Sequence, residues 1–443
     1  MPRLFGTDGI RGVANVDLKP TIAYALGRAT AHRLVGIGGS LVVGQDTRRS
    51  CDMFVAAIAA GATSLGVDVH LVGVVPTPAL AFLAGQGDFA AGIMVSASHN
   101  PAEDNGLKVL DANGLKLDDM VEDELEALIW RSEELRGVGN AELGRVHFGD
   151  DLLERYREAR LELAGGISSQ VRIILDCANG SGGVVGPEIL AATGAQVEVI
   201  NNDPDGVNIN VRAGATAPGG LAEAVVSRGA DVGFALDGDA DRLIAIDAAG
   251  EVVDGDRVLG ILALDRLSRG ALPGGGLVVS VLSNGGLQSA VEAAGGQVIR
   301  TPVGDKYILE GMQVGGSTLG GEKSGHVIIL EHTTSGDGVV TALEVLRVMA
   351  RRRAPLAELA AEIPLLPQEQ RAVPARHRDQ WEGDPALQRA IRDAKGRLGP
   401  SGRVLVRPSG TEPALRVMVE GPDGDLVVEL ADSLAALASK RLN

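Results

Sequence analysis

The sequence predicts an α/β protein. Strand-like apolar runs alternate with Ala-rich helical stretches three times over, and a smaller α+β unit follows a proline-marked break. In the first round Ser40–Gly44, Val67–Val72 and Ala90–Val95 read as strands and Asp52–Leu65 as a helix. The second sets strands at Val171–Leu175, Gln196–Ile200 and Asp231–Leu236 around a helix near Gly186–Thr193. The third has a strand at Gly276–Leu282, a helix through Leu287–Ala294 and a strand at Gln297–Arg300. Such alternation implies parallel α/β layers, in three units of about a hundred residues each. Two prolines and a polar end mark Ile363–Gln370 as a linker that lets the next unit move. Beyond it lie Arg371–Ala375, a helix over Pro385–Leu398, strands at Arg403–Val406 and Ala414–Glu420, and a terminal helix near Leu426–Lys440.

Composition narrows the function. Hydrophobic residues make up 45% of the 443 and aromatics only 2%, so the cores must be built from Ala, Val, Leu and Ile. The 58 acidic side chains exceed the 41 Lys and Arg, a net charge of −17 that repels nucleic acid and anionic membranes. A phosphorylated ligand would be repelled too, so any phosphate site must be locally basic. Cys51 and Cys177 stand far apart without a metal-binding spacing, which fits a reducing cytosol. With no apolar leader and no membrane-length run, a cytoplasmic protein is expected.

Four loops carry chemistry. Ser96-Ala97-Ser98-His99-Asn100-Pro101 follows the strand-like run Ala90–Val95, and Pro101 prevents that strand from continuing. Ser98 is therefore held at a strand mouth, a place for a nucleophile or phosphate carrier. Asp237-Gly238-Asp239-Ala240-Asp241-Arg242 sets three carboxylates at alternate positions, which repel one another unless a cation neutralises them. Oxygen-only ligands select a hard ion, Mg²⁺ first among them. An EF-hand is excluded because Arg242 and Ala248 occupy its glycine and glutamate positions. In Gly320–His326, Glu322, Ser324 and His326 offer an acceptor, a hydroxyl and an imidazole that suit sugar hydroxyls. Arg407-Pro408-Ser409-Gly410-Thr411-Glu412-Pro413, with Arg416 following, has the inventory of a phosphate cradle. Near the N-terminus, Gly6–Gly12 is a glycine-flanked turn carrying Arg11.

Together these loops, with Phe5–Gly12 and Asp104-Asn105-Gly106-Leu107-Lys108, resemble the α-D-phosphohexomutase family over nearly the whole chain and in order. The resemblance implies three similar mixed α/β domains (1–150, 151–252, 253–365) and a C-terminal α+β domain (371–443) around a central cleft. It implies that Ser98 is the phosphoserine, and that Asp237, Asp239 and Asp241 hold one Mg²⁺ with a phosphoserine oxygen of Ser98 as a further ligand. His99, Lys108, Arg11 and Arg242 would assist at the phosphoserine, and His326 would help move a proton. Glu322 and Ser324 would bind sugar hydroxyls. Arg407, Ser409, Gly410, Thr411 and Arg416 would bind the phosphate that is not transferred. The reaction expected is exchange of a hexose 6-phosphate and 1-phosphate through a 1,6-bisphosphate, with hexosamine or glucose 1,6-bisphosphate as activator. Glucosamine phosphate, on the way to UDP-N-acetylglucosamine and cell wall, is the expected substrate, ahead of glucose or mannose phosphate. Lys323 and Lys306 stand where the family commonly has Gln and Arg. Partners are small sugar phosphates, with a homodimer left open.

Two other enzyme readings compete. A serine hydrolase is disfavoured because Ser96 and Asn100 replace the glycines of a nucleophile elbow. An aspartyl phosphatase would use Asp237-x-Asp239 after its strand, but leaves the Ser98 and Arg407 loops without a role. A non-catalytic sugar-phosphate sensor would need no Asp triad.

Overall fold

Three of the four sheets share one strand order. The computed structural model describes residues 3–6, 8–149, 151–408 and 414–443. The first sheet holds β1 (Phe5–Gly6), β2 (Gly9–Val13), β3 (Ser40–Gln45), β4 (Asp68–Val74), β5 (Ala91–Val95), β6 (Asp104–Asp111) and β7 (Val146–Phe148), ordered β1-β2-β6-β5-β3-β4-β7. The second holds β8 (Arg172–Asp176), β9 (Gln196–Ile200), β10 (Val232–Leu236), β11 (Leu243–Asp247) and β12 (Val252–Val253), ordered β12-β11-β10-β8-β9. The third holds β13 (Gly276–Ser280), β14 (Gln297–Thr301), β15 (Leu319–Gly321) and β16 (Val327–Ile329), ordered β14-β13-β15-β16.

In each of the three, two helical crossovers build a parallel trio, and a fourth strand returns antiparallel beside the third. The sheets are therefore mixed rather than purely parallel, as alternation alone had suggested. An apolar run serves either direction equally well. What reverses the fourth strand is a short polar connection from the third, too short for the crossover that a parallel return needs.

Those connections are the chemistry-bearing loops. They run from β5 to β6 with Ser98, from β10 to β11 with the Asp triad, and from β15 to β16 with Glu322–His326. All three lie at carboxyl ends of parallel strands, where open α/β sheets form their ligand crevices. Two close approaches bring them together. Gly238 packs on the Ser98 loop so tightly that a Cβ there would sit 2.6 Å from the Ser98 carbonyl oxygen. Arg242 pairs with His326 in a single antiparallel bridge, and the Leu243 N–H donates to the Gly325 carbonyl at 3.0 Å.

One apolar core of Leu, Val, Ile and Ala runs through the three repeats and surrounds the helix Gly338–Arg352, buried over most of its length. Asp337 caps that helix on the Val340 N–H at 3.0 Å and accepts from Tyr156 Oη at 2.8 Å. The C-terminal unit has its own core. Its sheet of β17 (Gln368–Pro374), β18 (Arg403–Pro408) and β19 (Ala414–Glu420) is antiparallel, with β19 central. Gln368–Gln370, read above as the end of the linker, are the first residues of β17. Polar contacts seat this unit on the third repeat. Arg403 donates to Ser283 O at 2.7 Å and Gln368 to Leu282 O at 3.0 Å, while buried Glu420 accepts from the Gly285 N–H at 3.0 Å. Among the described residues no helix is long and apolar enough to cross a membrane.

Next to this seam, buried Asp256 accepts from the Asn284 N–H at 2.9 Å through one oxygen, while the other has no hydrogen-bond partner. Burial first, then neighbouring Asp254, pushes its carboxyl up to about 6. A raised carboxyl pKa means that the unfolded chain ionises first. Stability is then lost as pH rises from about 4 to about 6 and stays lower above. Asp256→Asn keeps the acceptor and removes the charge. It should stabilise the protein at pH 7.5 by on the order of 1–3 kcal/mol. Urea midpoints at pH 7.5 and pH 4.5 check this, the gain fading at the lower pH.

Candidate active site

Ser98 is buried at the end of β5 in a left-handed backbone conformation, φ 51°. A non-glycine residue there carries a steric cost of about 1–2 kcal/mol, so its surroundings must impose it. They do so through Arg48, fully buried and paired with Asp46 at 3.0 Å. Its guanidinium donates to Ser98 O at 3.0 Å, Asn100 O at 2.8 Å and Asp104 O at 3.1 Å, and also to Pro101 O. Asp46 accepts in turn from Ser96 Oγ at 2.7 Å, and Ser96 Oγ from the Ser98 N–H at 2.9 Å. Asn210 of the second repeat donates to Ser98 O at 2.8 Å.

The Ser98 hydroxyl so displayed donates to Asp237 Oδ2 at 2.5 Å. Asp237, Asp239 and Asp241 are all buried, each with a carboxylate oxygen within 4.8 Å of the others'. Burial, then repulsion from Asp241 and Asp239, raises Asp237 well above the usual carboxylate range. Asp241 is held low despite burial, because Lys108, His326 and Arg242 surround it. Asp239 is held by Lys108 Nζ at 2.8 Å and Thr77 Oγ1 at 2.5 Å. One oxygen each of Asp239 and Asp241 is buried without a hydrogen-bond partner. Such acceptors are costly to bury unless something binds them. Oxygen donors in this grouping fit a hard cation.

Cations surround the triad and the Ser98 loop. Burial works against the Lys108 ammonium, yet Asp239, Asp8 and Asp241 raise it well above the lysine range. Arg11 binds Asp8 and donates to Asn100 Oδ1 at 3.2 Å. Arg242 Nε lies 3.7 Å from Asp241 and 3.9 Å from Asp237. His99 Nδ1 is 3.3 Å from Ser98 Oγ, and burial with Arg242 and Arg11 pushes its pKa down to about 4, so the imidazole is neutral at neutral pH. His326 faces Asp241 at 3.7 Å through Nδ1 and accepts the Gly336 N–H at 3.1 Å through Nε2. Burial opposes its charged form, but Asp241 and Asp305 raise its pKa.

From the third repeat, Glu322 accepts the Gly304 N–H at 3.1 Å, and Ser324 Oγ is a buried hydroxyl without a hydrogen-bond partner. Lys323, between them, turns to Gln368 Oε1 of the C-terminal unit at 2.9 Å. In that unit Arg407 and Arg416 are direct cross-strand partners on β18 and β19, which puts both on one sheet face. Burial and then Arg416 lower the Arg407 pKa, with Glu322 opposing. Ser409, Gly410 and Thr411, expected to complete this cradle, lie outside the described residues.

Sequence reading passed over Asp46, Arg48, Thr77, Asn210, Lys116 and Asp305. Four of these share a signal that could have been used. Asp46 and Arg48 follow β3, Thr77 follows β4 and Asp305 follows β14, each a few residues past the carboxyl end of a parallel strand.

A serine hydroxyl against a buried carboxylate triad, with Lys108 and Arg242 on the triad and Arg11 on the serine loop, suits a protein that handles phosphoryl groups. The comparisons agree. Models described as phosphoglucomutase/phosphomannomutase, alpha/beta/alpha domains I, II and III, match residues 2–136, 154–250 and 254–365, and that of the C-terminal domain matches 370–437. The chain belongs to the phosphoglucomutase/phosphomannomutase family. It is similar to the phosphoglucosamine mutase of Moorella thermoacetica, 50% identical over 99% of this chain and 100% of that protein. The phosphoglucosamine mutase of Symbiobacterium thermophilum is 46% identical, with full coverage of both. Among solved structures, a phosphoglucomutase/phosphomannomutase family protein from Burkholderia thailandensis is 25% identical with a TM-score of 0.83, over 100% of this chain and 98% of that one.

The left-handed backbone at Ser98 makes a test of the strain. Ser98→Gly and Ser98→Ala both lose the hydroxyl, but only glycine relieves φ 51°. The glycine variant should be the more stable by about 1 kcal/mol in paired denaturant titrations.

Proposed function

We infer that the chain interconverts glucosamine 6-phosphate and glucosamine 1-phosphate through a phosphorylated Ser98 and a 1,6-bisphosphate intermediate. One observation carries this above all. The Ser98 hydroxyl touches Asp237 and His99, while Lys108 and Arg242 pair with the triad and Arg11 with Asn100 of the same loop. That is a place to store a phosphoryl group and to balance its charge in transfer. We assign Asp237, Asp239, Asp241 and a phosphoryl oxygen on Ser98 as the ligands of one Mg²⁺. Bound there, the ion would neutralise charge on the phosphoryl group.

The chain's residues divide the work. Arg242, Lys108 and Arg11 orient the phosphoryl oxygens. In the first half-reaction the P–O bond to Ser98 breaks and a P–O bond to the free sugar oxygen forms. The proton lost by the sugar hydroxyl ends on Ser98 Oγ, and neutral His99 beside that oxygen is suited to carry it. His326, engaged at both ring nitrogens, we assign to steadying Asp241. The bisphosphate then turns, and its other phosphate returns to Ser98. Glu322 and Ser324 can read hydroxyls in either orientation, and the Arg407–Arg416 face takes the idle phosphate. Free, buried Cys51 and Cys177 fit a reducing, cytoplasmic setting. An aspartyl phosphatase is the weaker reading, because Asp237 is occupied by Ser98 Oγ and lies at the bottom of a charge network.

The deciding experiment measures catalytic efficiency on glucosamine, glucose and mannose phosphates with glucose 1,6-bisphosphate as activator, together with intact mass. Glucosamine phosphate should lead and one phosphate should map to Ser98. Ser98→Ala should lose at least a thousandfold in rate. A fully active Ser98→Ala enzyme would overturn the mechanism, and a lead for glucose or mannose would overturn the substrate.

Arg407→Ala should leave the Ser98 phosphoester intact while raising the Michaelis constant at least tenfold. A charge-assisted phosphate contact is worth about 1.5–3 kcal/mol. An unchanged constant would remove the C-terminal unit from the site.

A further inference from the structure

Lys116 stands outside every motif of the reaction, yet it joins two repeats beside the site. It follows a tight turn after β6, in which the Asp111 side chain accepts from the Asn113 and Leu115 N–H groups at 2.8 and 2.9 Å. Gly114, at φ 72°, packs directly on the Ala81 carbonyl, which pins the turn. Lys116 is thereby aimed at two carboxylates and donates to both Asp8 of the first repeat and Asp305 of the third. Asp8 also binds Arg11 and lies 3.4 Å from Lys108, and Asp305 lies 3.7 Å from His326. Nearby, Thr334 Oγ1 donates to Gly114 O at 3.2 Å and Lys306 Nζ to Asp119 at 2.7 Å, both again between the first and third repeats.

We propose that Asp8, Lys116 and Asp305 form a clasp between the first and third repeats that keeps the bisphosphate enclosed while it turns. This rests on the mutase reading above. Lys116 touches Asp8 and Asp305 rather than Ser98 or the triad, so it is a positioning residue. Two features suit it to holding and releasing. First, it neutralises two carboxylates on separate repeats. Without it Asp8 still has Arg11 and Lys108, whereas Asp305 loses its ammonium partner, so the tie between the repeats is cut and a partly buried carboxylate is left short of charge. Second, the clasp is polar, with about a fifth of the Lys116 and Asp8 side chains still exposed. Water can therefore replace its contacts when the repeats part, as it could not for an apolar seal.

The test uses the full chain with Lys116→Met, Lys116→Arg, and Lys116→Met combined with Asp305→Asn. In Lys116→Met the glucose 1,6-bisphosphate concentration for half-maximal activity should rise at least tenfold, because intermediate escapes between half-reactions. Simple loss of folded enzyme would lower the rate without moving that concentration. Adding Asp305→Asn removes the carboxylate that Lys116→Met leaves unpaired and should recover at least threefold, and Lys116→Arg should stay within about threefold of the parent. An unchanged activation constant in folded Lys116→Met, or a worse one in the double variant, overturns the clasp. A second measurement needs no turnover. Spin labels on Met120→Cys and Val314→Cys, both exposed and on the first and third repeats, should give a longer or broader distance distribution in Lys116→Met. The same narrow distribution as in the parent overturns the clasp. A parent enzyme without bisphosphate-dependent activity would sink the mutase reading instead, while the spin-label distances still decide whether Lys116 holds the repeats together.

Discussion

Three carboxylates buried within 4.8 Å of one another are the constraint around which this molecule is arranged. Two unit charges about 4 Å apart at an effective dielectric of 20 repel by roughly 4 kcal/mol. Three such pairs outweigh what one lysine in direct contact can return, and the high pKa of Asp237 expresses the imbalance. Lys108, Arg242 and the Ser98 hydroxyl lessen it. The unpartnered oxygens of Asp239 and Asp241 mark where that compensation is incomplete, and they fit a metal site.

Repetition is what makes such a site buildable. Each repeat ends its parallel trio in a short reversal to an antiparallel fourth strand, and each reversal carries different side chains: the Ser98 hydroxyl, the acidic triad, and Glu322, Ser324 and His326. The C-terminal unit adds a pair of arginines. A chain of net charge −17 thus sets Lys108, Arg242 and Arg11 among the buried carboxylates of the triad and Asp8. Seating of the C-terminal unit through Arg403, Gln368 and Glu420 joins it to the third repeat by polar contacts, with Lys323 linking the β15–β16 loop to Gln368.

Much of this was legible in the residues. The strands Gln196–Ile200 and Ala414–Glu420 and the helix Pro385–Leu398 begin and end where their apolar patterns do. Other boundaries moved with context. Gln368–Gln370 look like linker because they are polar, but edge strand β17 needs only alternate residues to be covered, and pairing with β19 draws them in. Arg48 was illegible for a related reason. Its neighbours in sequence are polar, and nothing local says that four backbone carbonyls of another loop will close over it.

The sequence by itself determined which side chains each of the four loops can offer. A motif's donors are contiguous, and the prolines, glycines and apolar runs that frame them act over a few residues. Only the tertiary structure decided which groups meet. Ser98 reaches Asp237 across 139 positions and Lys116 reaches Asp305 across 189, separations that no local pattern constrains. It also decided charge state. His99 is neutral because it is buried beside two arginines, and Asp237 is raised while Asp241 is held low in the same short loop. Protonation follows burial and the sum of nearby charges, and both exist only once the repeats have packed.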